Sequence, residues 1–108
     1  MKLQPGPFAA IKAGTKSIES RLYDEKRQRL QLGDEITFRN MADLNEAVTV
    51  KVIELLKYPT FSGLFAAFPP SEFGGESSQA LEDRIYSVYS KADEAKFGVL
   101  GIRIEMMD

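Results

Sequence analysis

Residues 13–38 read AGTKSIESRLYDEKRQRLQLGDEITF, and this stretch decides the fold. Gly14 predicts the end of a short preceding helix, because glycine is common just after a helix C-terminus. Between residues 18 and 22, apolar-leaning and polar residues alternate, which predicts a strand with one polar face. Asp24 is typical of a residue that caps a short helical turn. Gly33 and the following aspartate predict a turn into a second strand.

The rest of the chain adds short strands and small helices on either side. Alternation, capping residues and Pro/Gly breaks predict strands at 1–4, 35–39, 48–56 and 99–106, and helices at 8–13, 60–68 and 80–89. The connections are expected to be a polar hairpin link at 40–46, a Gly/Ser-rich loop at 71–79 and a charged link at 92–97. A parallel sheet would need long crossover helices, so we expect an α+β, mainly β fold: a small, partly open β-barrel decorated by helices.

Length and composition exclude several classes of protein. The 108 residues are expected to form one domain over residues 1–108. The chain has no cysteine and no histidine, which excludes disulfides, thiolate zinc sites and a Ser-His-Asp triad. We therefore predict no metal site and no cofactor. Neither an apolar run of ~20 residues nor a signal-peptide pattern is present, so the expected location is cytoplasmic, with no membrane partner.

Positive charge is concentrated in one segment of an otherwise acidic chain. The net charge is −2, yet residues 12–29 hold six basic and three acidic side chains. Glu19 and Arg21 lie two apart on the predicted strand and share its polar face, and Lys16 precedes them. With Lys26 and Arg27 on the next turn, they are expected to form one cationic groove. The alternative is an ordinary solvated strand face with surface ion pairs worth about 0–1 kcal/mol each.

Gly14, Lys16, Glu19 and Arg21 form the pattern G-x-K-x-x-E-x-R, which Asp24, Lys26 and Arg27 follow. Together with the Tyr58-Pro59-Thr60-Phe61 step, the Tyr86-Ser87 pair and the closing 97–102 strand, the chain closely resembles the ASCH family of PUA-like domains, in particular its small stand-alone bacterial type. The resemblance implies a PUA-like, partly open β-barrel with peripheral short helices. It also implies binding of RNA or a nucleotide in a cationic cleft, with a set of expected ligand-binding residues: Arg21, Asp24, Lys26, Arg27, Tyr86 and Ser87.

The resemblance implies an alternative function, a small metal-independent hydrolase acting on RNA or on a modified nucleoside such as N4-acetylcytidine. Lys16 corresponds to a lysine implicated in catalysis in the amidohydrolases of the family, and Glu19 stands where those enzymes carry threonine. Lys16 and Glu19 are therefore the candidate catalytic residues, joined by a loop carboxylate, Glu72 or Glu76. In a binding protein, Glu19 either orients its cationic neighbours or accepts a hydrogen bond from the amino group of cytosine.

Overall fold

The computed structural model describes residues 1–107, and within them a curved sheet is covered by short helices on both faces. The elements are β1 (Lys2–Leu3), α1 (Pro5–Lys12), β2 (Ile18–Leu22), β3 (Glu35–Asn40), β4 (Asp43–Tyr58), α2 (Phe61–Ala67), α3 (Ser78–Ile85), α4 (Lys91–Phe97) and β5 (Val99–Met106). Two 3-10 turns, at Arg27–Arg29 and Pro70–Phe73, complete the list. The predicted α+β, mainly β class is confirmed.

The five strands form one mixed sheet in the order β1-β3-β4-β5-β2. β1 runs parallel to β3, and the other neighbouring pairs are antiparallel. β4 is the long strand of the sheet: its first half pairs with β3, and its pairing with β5, from Val50 to Tyr58, contains a register shift between Val52 and Glu54. An extra residue in one strand bends and twists it. The bent β4 therefore curls the sheet into a half-barrel, as expected for a partly open barrel.

β5 is buried on both faces and separates two hydrophobic cores. Alternate residues of β5, among them Leu100 and Ile102, face the first core, which α1 covers with Phe8 and Ile11. On the other face, Val99 joins a second core built largely from α2, the Pro70–Phe73 turn and α3. The helix predicted at 60–68 contributes to this second core, with the side chains of Phe61, Leu64 and Phe65 buried.

Two predicted links are regular structure instead. The 40–46 segment is mostly strand, because β3 continues to Asn40 and β4 already begins at Asp43. Backbone pairing extends this hairpin although residues 41–46 are exposed. The 92–97 segment lies in α4, where the Ser90 hydroxyl accepts a hydrogen bond from the Asp93 N–H at 3.1 Å. Its charged residues suggested a link, but the cap and the buried Glu94 make it a helix.

The helix predicted at 80–89 is displaced toward the N-terminus. α3 begins at Ser78, because the Ser77 hydroxyl caps it by accepting the Ala80 N–H at 3.1 Å, and it ends at Ile85. Val88, within the predicted helix, therefore lies beyond α3 and is 68% exposed. In residues 1–107, no helix has the length and apolar character needed to cross a membrane.

Candidate functional site

The polar face of β2 points toward the first core and not toward solvent. Glu19 pairs with Ile102 and Arg21 with Leu100 in the antiparallel register. Directly opposite residues of an antiparallel pair share a face, so both charged side chains lie on the side of the sheet that holds the first core. Glu19 is only 4% exposed. The alternative of a solvated strand face is therefore wrong for this carboxylate.

Glu19 lies between two cations. Its Oε1 is 3.4 Å from Lys16 Nζ and accepts the Ser20 N–H at 2.8 Å, while its Oε2 is 3.7 Å from Arg21 Nη2. The Lys16 and Arg21 side chains are 9% and 15% exposed. Oε2 accepts no hydrogen bond from residues 1–107. The three side chains carry a net charge of +1. Because each charge loses part of its hydration in the fold, their mutual attraction is needed to offset the cost of desolvation.

Lys16 forms part of the wall between two cavities. Its aliphatic stem packs against Gly74, where an added Cβ would lie 3.3 Å from the Lys16 Cβ. On one side is a cleft of about 430 Å³, lined by Gln4, Gly6, Pro7, Ala10, Lys16, Phe73, Gly74 and Arg84. On the other is a cavity of about 120 Å³, lined by Ile11, Gly14, Lys16, Ser17, Ile104 and Met106. We call the larger one the Lys16 cleft.

The predicted single groove is divided in the structure. Asp24, Lys26 and Arg27 line a separate depression of about 320 Å³ together with Glu25 and Phe97. Asp24 holds this turn in place, since its carboxylate accepts the Arg27 backbone N–H at 3.1 Å and the Arg27 guanidinium at 3.2 Å. Lys16 and Lys26 therefore line different cavities.

Arg21 lines neither of these two cavities. Its guanidinium contacts Glu19 on one side and donates to the Lys2 carbonyl at 3.4 Å. The pKa of the Met1 ammonium is lowered, first by burial and then by the nearby positive charges, among them Lys26, Arg21 and Arg27. The predicted cations therefore do not line one cavity.

Tyr86 and Ser87 make their polar contacts within the helical layer. The Tyr86 hydroxyl donates to Glu94 Oε2 at 2.6 Å, and the same carboxylate oxygen accepts the Phe61 N–H at 2.8 Å. Burial, followed by the hydrogen bond to Glu94, raises the pKa of Tyr86. Ser87 donates to the Arg84 carbonyl at 2.6 Å. Neither residue lines the two cavities that Lys16 lines.

Of the two candidate loop acids, Glu72 lies beside the segment that carries Lys16. Its carbonyl accepts the Ser17 N–H at 2.8 Å, while its carboxylate accepts Arg103 Nη1 at 2.7 Å. That hydrogen bond is the largest of the causes that raise the pKa of Arg103. Glu76 is exposed. Within residues 1–107, no group of three or more acidic side chains is arranged to hold a metal ion.

Sequence reasoning missed two residues. One is the buried Glu94, which accepts hydrogen bonds from the Phe61 N–H of α2 and from the Tyr86 hydroxyl. In the sequence it is only the second of two adjacent acids, Asp93 and Glu94. Arg84 lines the Lys16 cleft from α3 and carried no local motif.

Comparison with known proteins shows the family of the chain. The family model of the ASCH domain matches residues 1–108. No match is found among curated proteins. The crystal structure of the hypothetical protein PH0355 is similar, with a TM-score of 0.85, 31% identity, and coverage of 99% of this chain and 96% of that one. The solution structure of protein PF0455 from Pyrococcus furiosus is similar with a TM-score of 0.76 and 28% identity. The match covers 100% of this chain and 96% of that one. The chain therefore belongs to the ASCH domain family.

Proposed function

We propose that this protein binds a nucleotide, free or as a unit of single-stranded RNA, in the Lys16 cleft. The observation that carries the proposal is Lys16, whose ammonium pairs with a buried carboxylate and whose side chain lines a cleft of about 430 Å³. Small-molecule pockets usually span about 300–1,000 Å³, so this cleft suits one nucleotide and not a duplex. RNA binding is also what membership of a PUA-like family suggests.

The chemistry of Lys16 supports a binding role. An ammonium has three N–H donors, and Glu19 at 3.4 Å takes one of them. Donors remain for a phosphate oxygen or for an acceptor on a base or ribose. In this proposal Glu19 is a positioning residue: it keeps the Lys16 side chain at the cleft wall.

The separate depression at Asp24 extends the proposed RNA path. Lys26 and Arg27 there supply positive charge beside Phe97, which lines the same depression. Single strands are commonly bound by cations that follow the backbone, with aromatic rings beside the bases. We leave Tyr86 and Ser87 out of the proposed site, because their hydroxyls are engaged within the helical layer.

The test is fluorescence anisotropy of a short labelled single-stranded RNA with a charge-balanced double variant. Lys16→Met with Glu19→Gln removes the ammonium without leaving Glu19 as an unpaired buried charge. We expect the double variant to bind about tenfold more weakly, the effect of losing roughly one charged hydrogen bond. Wild-type affinity should fall as the salt concentration rises. The logarithm of the binding constant should decrease with the logarithm of the salt concentration, with a slope of roughly −0.7 for each phosphate contacted.

Lys12→Met is the matched control, since Lys12 is 60% exposed and reaches only Glu46 at 3.9 Å. It should bind RNA like the wild type. Equal affinity of the double variant and Lys12→Met would contradict the Lys16 cleft as the binding site.

A second candidate function is hydrolysis, favoured by the small cavity of about 120 Å³ that Lys16 helps to line. That cavity would hold a small acyl group, and the Lys16 amine would act as base or nucleophile. The test is release of acetate from N4-acetylcytidine, and cleavage of RNA, in EDTA. Turnover that persists in EDTA and is lost in the double variant would establish the hydrolase. Binding of RNA with no turnover of either substrate would exclude it.

A further inference from the structure

Arg84 faces the Lys16 cleft from α3 and has no partner that explains its position. Three other arginines form ion pairs with carboxylates, namely Arg21, Arg27 and Arg103. Arg84 forms no ion pair with any residue in the 1–107 range. A cation that lines a cleft and is not neutralised within the fold is available to an anionic ligand.

The acids next to Arg84 on the same helix are already engaged. Glu82 accepts a hydrogen bond from the Ser62 hydroxyl, and Asp83 accepts one from Gln79 Nε2 at 2.8 Å. Ser62 lies in α2 and Gln79 in α3 itself, so both carboxylates have partners other than Arg84. The positive charge of Arg84 is therefore left on the cleft side of α3.

The two cations of the cleft lie in different environments. The Lys16 side chain is almost fully buried and has Glu19 at 3.4 Å, whereas Arg84 is exposed. Apolar surface of Pro7, Ala10 and Phe73 also lines the cleft. An anion placed against Lys16 would lose most of its hydration and would be repelled by the Glu19 carboxylate. An anion at Arg84 meets neither penalty.

We propose that Arg84 binds the phosphate of the nucleotide and that the base end of the same ligand points toward Lys16. This inference rests on the proposed function, and it assigns the orientation of the ligand. A guanidinium matches a phosphate through two parallel N–H donors and is less strongly hydrated than an ammonium, so it suits a phosphate at an open rim. The apolar walls then cover the ribose and the base.

Isothermal titration calorimetry with cytidine and cytidine 5′-monophosphate tests the orientation. Arg84→Gln should lower the affinity for the monophosphate about tenfold and that for cytidine less than twofold, because only the phosphate contact is lost. Since Arg84 is exposed, the variant should fold, and a melting curve checks this. Inorganic phosphate should compete with the monophosphate on the wild type and not on the variant.

Arg39→Gln is the matched control, because it removes the same charge from an exposed arginine of β3 that donates to the Leu44 carbonyl at 3.2 Å. It should change neither affinity. Equal weakening of both ligands by Arg84→Gln would instead place the base against the guanidinium and overturn the orientation. No effect of Arg84→Gln, or an effect matched by Arg39→Gln, would also overturn it.

These outcomes separate the two proposals. If the wild type binds the monophosphate and the Lys16→Met, Glu19→Gln variant does not, the Lys16 cleft remains the binding site even when Arg84→Gln has no selective effect. If the wild type binds neither cytidine nor its monophosphate, the nucleotide-binding function and the orientation both fail.

Discussion

Replacing Glu19 by glutamine removes the negative charge that holds two partly buried cations together. Glutamine keeps the shape and an oxygen that can accept the Ser20 N–H, so the change isolates the charge. At an effective dielectric constant of about 20, pairs at 3.4 Å and 3.7 Å each have a gross attraction of about 5 kcal/mol. Desolvation offsets much of that attraction, and removing one partner of a buried pair typically costs about 3–5 kcal/mol.

We expect the lower end of that range for Glu19→Gln. The Lys16 and Arg21 side chains keep some exposure and can turn toward water when their counterion is lost. A loss of about 3 kcal/mol is a large share of a typical folding free energy of about 5–15 kcal/mol. At about 4 °C for each kcal/mol in a domain of this size, the melting temperature should fall by about 12 °C.

Urea denaturation and thermal melting measure the effect, and Glu46→Gln provides the matched control. Glu46 is 45% exposed and lies 3.9 Å from the exposed Lys12, so its loss should cost less than about 1 kcal/mol. A destabilisation by Glu19→Gln no larger than that of Glu46→Gln would refute the view that the buried carboxylate clamps its neighbours.

The same variant separates the two roles of Glu19 in binding. Glu19 does not line the Lys16 cleft, so we expect the ratio of affinities for cytidine and uridine monophosphates to stay unchanged in Glu19→Gln. A selective loss of affinity for the cytidine nucleotide would show that the carboxylate accepts a hydrogen bond from the cytosine amino group.

Two further predictions concern backbone strain and pH. Gly74→Ala should lower stability by about 1–2 kcal/mol, because Gly74 has φ +76°, and should also weaken nucleotide binding, since the new Cβ presses on Lys16 at 3.3 Å. Gly14→Ala is the control, because Gly14 has φ +79° and open space around it. It should lower stability by a similar amount and leave nucleotide binding intact. An equal loss of binding in Gly14→Ala and Gly74→Ala would contradict the role of Gly74 in positioning Lys16. The pKa of Tyr86 is raised, by burial first and then by the hydrogen bond to Glu94, so its stabilising contribution is complete below the unfolded tyrosine pKa of about 10 and is lost as the pH rises through the folded value. In urea titrations, the stability difference between wild type and Tyr86→Phe should therefore shrink above about pH 10, and a constant difference would count against this coupling.

Local signals in the sequence determined most of the secondary structure and part of the site. Gly14 follows the end of α1, and the Asp24 carboxylate accepts the Arg27 N–H at the start of the Arg27–Arg29 turn. The spacing of Lys16 and Glu19 also predicted their contact, since they are close in the chain and Glu19 begins the polar positions of β2. Such features depend on backbone geometry over a few residues, which a sequence pattern records directly.

Only the tertiary structure shows whether the charged side chains of β2 face the core or the solvent. β2 pairs with β5, some eighty residues later in the chain, and this pairing turns the polar side of β2 toward the core that holds Leu100 and Ile102. A period of two shows that Glu19 and Arg21 share a face, but it cannot show whether that face meets solvent. For the same reason, the position of Arg84 could not be predicted from the sequence. Arg84 and Lys16 line one cleft only because α3 and the Lys16 segment are close in the folded chain. Burial and long-range contact depend on which elements pack together, and no local pattern in the chain carries that information.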